Sequence, residues 1–125
     1  MAANSFKLMT RSGVIKRTDT GMFISLDDIH VRDGFNKRED DERTRQADDD
    51  LFNYLMNGGS VPPLEVIARD EGGVWVVEGH RRRRCYARCR DAGKPVDRIH
   101  IMPFNGSDVQ RLARIMTSNN QLPLS

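Results

Sequence analysis

The chain has 125 residues, of which 38% are hydrophobic, 30% charged and 6% aromatic, and its formal net charge is +2. That composition supports one modest core and hence a single domain, and no stretch is apolar and long enough to cross a bilayer as a helix. Without a secretory signal, and with Cys85 and Cys89 four apart on a predicted helix where disulfide geometry is disfavoured, the sequence predicts a cytoplasmic protein with reduced thiols. A metal pair is the alternative for the two cysteines. No second Cys/His pair has suitable spacing, so small core residues are the preferred reading.

In chain order, residues 1–12 show little periodicity and are expected to form a flexible N-terminal arm. Val14–Arg17 and Met22–Ser25, separated by Thr18-Asp19-Thr20-Gly21, predict two strands joined by a turn. Asp27–Asp41 is polar and carries the turn signal Asp33-Gly34, which predicts a loop. Ala47, Leu51, Tyr54 and Leu55 fall on one helical stripe, and Gly58-Gly59 ends that helix. The acids near its start suit the helix dipole and read as a solvated charge run.

Pro62-Pro63 precedes a hairpin in which Leu64–Arg69 pairs with Val74–Val77 across Asp70-Glu71-Gly72-Gly73. A helix is predicted from His80 to Ala92, ended by Gly93 and Pro95, and a strand over Asp97–Met102. Ser107 and Gln110 form a capping-box pattern before a last helical stripe of Val109, Leu112, Ala113 and Met116. The interleaving of strands and helices predicts an α/β class, a mixed sheet flanked by helices.

The most informative segment is Gly79-His80-Arg81-Arg82-Arg83-Arg84, where a valine-rich strand gives way to a helix. The first N–H groups of a helix point outward unpaired, the dipole adds positive charge, and a glycine admits a ligand close to the backbone. Arginines there oppose the dipole, an electrostatic cost that a bound phosphate would relieve. The bland alternative is a solvated basic face.

The order of these motifs resembles the N-terminal domain of ParB-type partition proteins, in the ParB/sulfiredoxin superfamily, from about Ile24 to Ser125. The family's opening is matched loosely by Ile24, Ile29 and Asn36-Lys37-Arg38, and its G-x-x-Q-P-hydrophobic segment by Gly59-Ser60-Val61-Pro62-Pro63-Leu64, with Pro62 where glutamine is usual. Its central G-E-R-R-x-R is matched by Gly79–Arg84, with His80 where glutamate is usual. Its closing E-N-x-x-R is matched in part by Ser118-Asn119-Asn120-Gln121, one residue short of the usual pattern up to Leu124.

The resemblance implies a ParB/sulfiredoxin-like fold and a nucleotide-binding domain over residues 13–118. Residues 119–125 would then begin the connector to a helical DNA-binding region. It implies CTP or another nucleotide as ligand, with Gly59 and Ser60 near the base or sugar, Gly79, His80, Arg81 and Arg82 at the phosphates, and Asn119 near Mg2+. Ser118 stands where the family has a carboxylate and is a poorer ligand for a hard divalent ion, so binding without hydrolysis, or with slow hydrolysis, is expected. The implied setting is a DNA partition or phage/plasmid regulatory protein, acting as a homodimer and contacting DNA through its full-length form, with a partner NTPase as a further candidate and no membrane association. Sulfiredoxin activity is excluded on chemistry, because Gly79 stands where that activity requires cysteine. The rival is a ParB-like nuclease or phosphohydrolase, in which Glu78 and His80 supply acid/base catalysis. A nucleotide-free protein-interaction module is the remaining class.

Overall fold

The computed structural model describes residues 4–32 and 42–104. In chain order these form α1 (Phe6–Ser12), β1 (Ile15–Thr18), β2 (Gly21–Ser25), a short 3-10 turn (Leu26–Asp28), β3 (Ile29–His30), α2 (Glu42–Met56), β4 (Leu64–Ala68), β5 (Val74–Glu78), α3 (His80–Asp91) and β6 (Arg98–Pro103). The strands make one six-stranded mixed sheet in the order β1-β2-β6-β4-β5-β3, so the domain is α/β.

Side chains alternate across a strand, and the register decides which ones share a face. Ile24 lies between Ile15 and Ile99, Ile101 between Met22 and Leu64, and Ile29 opposite Val74, which gathers these residues on one face. Together with Val66, Val76 and Leu26 they form the main core. Phe6 and Met9 of α1 and Tyr86 and Ala87 of α3 pack onto it. Helix α2 packs on α3 through Leu51, Phe52, Leu55 and Met56, against the buried Cys85 and Cys89. Both thiols are thereby small core groups, and burial raises their pKa values, which leaves them protonated and unreactive.

Two sequence expectations are corrected. The supposed arm contains α1, capped by Ser5, whose Oγ accepts from the Leu8 N–H, and closed by Gly13 in the left-handed region. Seven residues are too few to reveal a helical period, so only Phe6 and Met9, three apart, signalled a buried stripe. The polar segment after Ser25 contains β3, which pairs in parallel with β5 through Ile29 and His30. A two-residue strand has no alternation to detect. The hairpin of β4 and β5, the stop after α2, helix α3 and strand β6 fall where the sequence places them. The helix expected after Ser107, Asn36-Lys37-Arg38 and the 119–125 connector lie outside the described residues.

Leu64 is fully buried where β4 meets both β6 and the start of α3. Leu64→Ala removes packing from all three, and urea denaturation should report a loss of about 2–5 kcal/mol in unfolding free energy. A loss below about 1 kcal/mol would show that this junction is not the core the burial pattern implies.

Candidate anion site at the start of helix α3

Strand β5 turns into α3 through Gly79, whose φ of 106° lies in the left-handed region. The turn is tight. A Cβ on Gly79 would stand 2.5 Å from Leu64 Cδ2 and 2.9 Å from Arg82 Nη2, so both conformation and space demand glycine. The Arg83 N–H donates to the Gly79 carbonyl at 2.9 Å, closing the first helical turn. The preceding N–H groups, of His80, Arg81 and Arg82, have no intrahelical acceptor. Arg82 bends back so that its guanidinium lies over Gly79, at the positive end of the helix.

The four consecutive arginines have different fates. Arg81 and Arg84 both reach the Asp48 carboxylate, at 3.0 and 3.5 Å, and Asp48 is only 8% exposed. Arg83 Nε donates to the Ile29 carbonyl at 2.9 Å, which ties α3 to β3. Further along, Arg88 pairs with Asp49 and stacks over the Phe52 ring, and Arg90 pairs with Asp27, both ion pairs at 2.8 Å. Arg82 differs in having no acid or carbonyl partner for its guanidinium among the described residues: its Nε, like that of Arg84, is buried without a hydrogen bond there, but Arg84 is held by Asp48 through Nη2.

His80, the first helical residue, is half-buried, and its Nε2 is also buried without a partner. Desolvation lowers its pKa below 6.5, with the Arg84 charge acting the same way and Glu78 opposing it. The imidazole is therefore neutral at pH 7. Glu78 is exposed at the end of β5 and lies opposite Glu65 across the β4–β5 ladder, beside an irregularity in the register. Among the described residues no three His, Cys, Asp or Glu side chains converge on a metal position.

The structure therefore brings Gly79, His80 and Arg82 together. Arg81 is at the same turn but shared with Asp48, with its side chain 47% exposed. Gly59 follows α2, where its N–H donates to the Tyr54 carbonyl and its Cα lies under the Tyr54 ring. The Tyr54 hydroxyl donates to the Ser60 carbonyl at 3.1 Å. Gly59 lines a groove of about 270 Å3 with Leu55, Tyr86, Cys89, Lys94 and Val96, beside the C-terminal half of α3 rather than its first turn. Asn119 and Ser118 lie outside the described residues.

The residue that sequence reasoning missed is Asp48. In the sequence it stands among the acids of α2 that read as a solvated charge run, yet it sits at the α2–α3 contact. The signal was present in the spacing of Arg81, Arg84 and Arg88, at i, i+3 and i+7 on one helical face, which calls for acids opposite. A scan against protein-family models finds no match for this chain, and a search of curated proteins finds no significant one.

Asp48→Asn should remove the shared counter-ion of two arginines and cost about 1–3 kcal/mol in urea denaturation. Asp49→Asn, at an exposed pair, should cost under about 1 kcal/mol. Equal losses would contradict the distinction between them.

A pH dependence follows from His80 and from His30, whose pKa is also lowered, by burial first and then by Arg69. Below pH 6.5 the unfolded chain takes up protons that the folded chain resists, so stability falls as the pH drops. The urea midpoint should be lower at pH 5.5 than at pH 7.5, and the difference should shrink in His80→Gln. A midpoint that rises on acidification would contradict the burial of these imidazoles.

Proposed function

We propose that this chain is a ParB-like nucleotide-binding domain of CTP type, belonging to a DNA partition or phage/plasmid regulatory protein, that takes the nucleotide's phosphates at the first turn of α3. The observation that carries the reading is that two buried nitrogens with no hydrogen-bond partner among the described residues, Arg82 Nε and His80 Nε2, both belong to the first turn of a helix opened by a left-handed glycine. An unsatisfied buried donor costs about 1–3 kcal/mol, more when charged, and phosphate oxygens would satisfy the Arg82 guanidinium and the first-turn N–H groups together. Arg81 contributes charge from the rim while keeping Asp48. A neutral His80 serves as a hydrogen-bonding group rather than a second cation.

In this reading the family resemblance assigns Gly59 and Ser60 to the base or sugar, and Asn119 to a magnesium ion that would balance the triphosphate charge. With Ser118 in place of a carboxylate, turnover is slow or absent. Dimerisation, contact with DNA through the full-length protein and a partner NTPase belong to the same proposal.

A second reading, a nuclease or phosphohydrolase, is favoured by one arrangement. Glu78 faces Glu65 at the sheet end, one residue before the glycine that precedes His80, so carboxylates and a neutral imidazole share a neighbourhood. Magnesium- or manganese-dependent nicking of plasmid DNA, lost in both Glu78→Gln and His80→Ala, would replace the nucleotide-switch reading with this one.

Calorimetric titration with each of the four nucleoside triphosphates, with and without magnesium, tests the primary reading. Arg82→Ala should weaken binding by roughly tenfold or more, Arg81→Ala by less, and Arg88→Ala by less than about twofold. Gly79→Val should abolish binding, because the added side chain strains the turn and displaces the Arg82 guanidinium. Equal losses across the arginines would indicate a diffuse charge effect and contradict the site.

A further inference from the structure

The arginines of α3 are the conspicuous positive feature of the sequence, and four of the six are paired with acids: Arg81 and Arg84 share Asp48, Arg88 pairs with Asp49 and Arg90 with Asp27. A second concentration of positive charge, with no acidic partner among the described residues, lies elsewhere. Lys7 and Arg11 of α1 are one helical turn apart, and Lys16 and Arg17 occupy β1, the outer strand of the sheet. All four are exposed, and none has an acidic partner among the described residues. Helix α1 packs directly against β1, so the four belong to one edge of the domain.

Arg98 on β6 extends the patch. Its two terminal nitrogens donate to the carbonyls of Gly13 and Val14, between α1 and β1, at 3.2 and 3.1 Å. Carbonyl acceptors hold the guanidinium in place without cancelling its charge. A shallow depression of about 310 Å3 adjoins it, lined by Lys16, Thr18, Thr20, Phe23, Asp97 and Arg98. Among the described residues the acids of this edge are Asp97, on that rim, and Asp19, in the turn after β1, against five cations.

We infer that the α1–β1 edge is a binding surface for the sugar-phosphate backbone of duplex DNA, separate from the α3 site and independent of any nucleotide bound there. Lysine on an outer strand also guards against edge-to-edge aggregation, and Lys16 alone would need no other explanation. The addition of Arg17, Lys7, Arg11 and the carbonyl-anchored Arg98 exceeds that need. Lys16 and Arg17 project to opposite faces of the outer strand, so the cations bracket the edge rather than crowd one face, and a polyanion lying along that edge fits them, because each cation neutralises a phosphate and releases condensed counter-ions. Leu8 is the large apolar side chain exposed on α1, which is too little for a membrane-inserting helix. The contact carries no base readout, so it is independent of sequence.

The test is fluorescence anisotropy of a labelled random-sequence DNA duplex with the full chain, without nucleotide, at several salt concentrations. Binding should weaken steeply with salt. The combined variant Lys7→Gln, Arg11→Gln, Lys16→Gln, Arg17→Gln should lose at least tenfold in affinity and about 3.6 units of log–log salt slope, the contribution of four phosphate contacts. These positions are exposed, and circular dichroism and the urea midpoint will verify that the variant is folded. Single variants at Lys7 and Arg17, each with a partial loss, support the same conclusion should the combined one misfold. Arg82→Gln should leave DNA binding unchanged. Absence of duplex binding at 50 mM salt, undiminished binding by the α1–β1 variants, or loss in Arg82→Gln would overturn the inference. So would tighter binding to phosphatidylglycerol vesicles than to DNA.

Discussion

Asp48 is the contact on which the arrangement of helices depends. Helix α3 presents Arg81, Arg84 and Arg88 on one face, and three guanidinium groups on adjacent turns repel one another and any apolar surface. Asp48, nearly buried, accepts from two of them, and the Asp49 and Arg88 pair closes the exposed rim. Between these charges Leu55 packs on Cys85 and Cys89, which provides burial without demanding volume. Cysteine suits the seam because a larger residue would push the charged groups out of range. The Cys85 thiol also lies 3.5 Å from the Asp48 carbonyl, so the apolar and ionic parts of the contact share a residue.

The other side of α3 is fastened to the sheet by different means. Arg83 reaches the Ile29 carbonyl and Arg90 reaches Asp27, so the helix is pinned to the 3-10 turn and to β3. Helical geometry thus distributes a run of like charges: one row toward α2, one toward β3, and Arg82 toward the glycine turn. A sequence run that reads as one basic patch becomes, in three dimensions, two structural fasteners and one group with no partner among the described residues. That is why the proposed phosphate site is centred on Arg82.

The sequence made the larger elements legible for physical reasons. The alternation of Leu64, Val66, Val74 and Val76 around Gly72-Gly73 specified the central hairpin, and the absence of breakers from His80 to Ala92 specified α3. Short elements were hidden: α1 is too brief for a period and β3 for an alternation. At the candidate site, the strand, the glycine turn and the cationic helix start were all readable, because local chemistry dictates them. The pairing of Asp48 with Arg81 and Arg84 was not, since residues 33 to 36 positions apart meet only through the packing of α2 on α3. The placement of Gly59 beside Tyr86 and Cys89, toward the far half of α3, likewise depends on tertiary packing.

On the proposed reading, Arg82 and the first-turn amides of α3 hold phosphate while the other arginines hold the fold. The most direct measurement is a nitrogen-15 NMR titration with nucleoside triphosphate that follows the His80–Arg82 amides together with the arginine Nε–Hε resonances. Phosphate binding at the first turn should give saturable shifts at those amides and at Arg82 Nε, with Arg84 and Arg88 Nε unmoved. Shifts concentrated at Arg84 and Arg88, or spread evenly over every arginine, would contradict it.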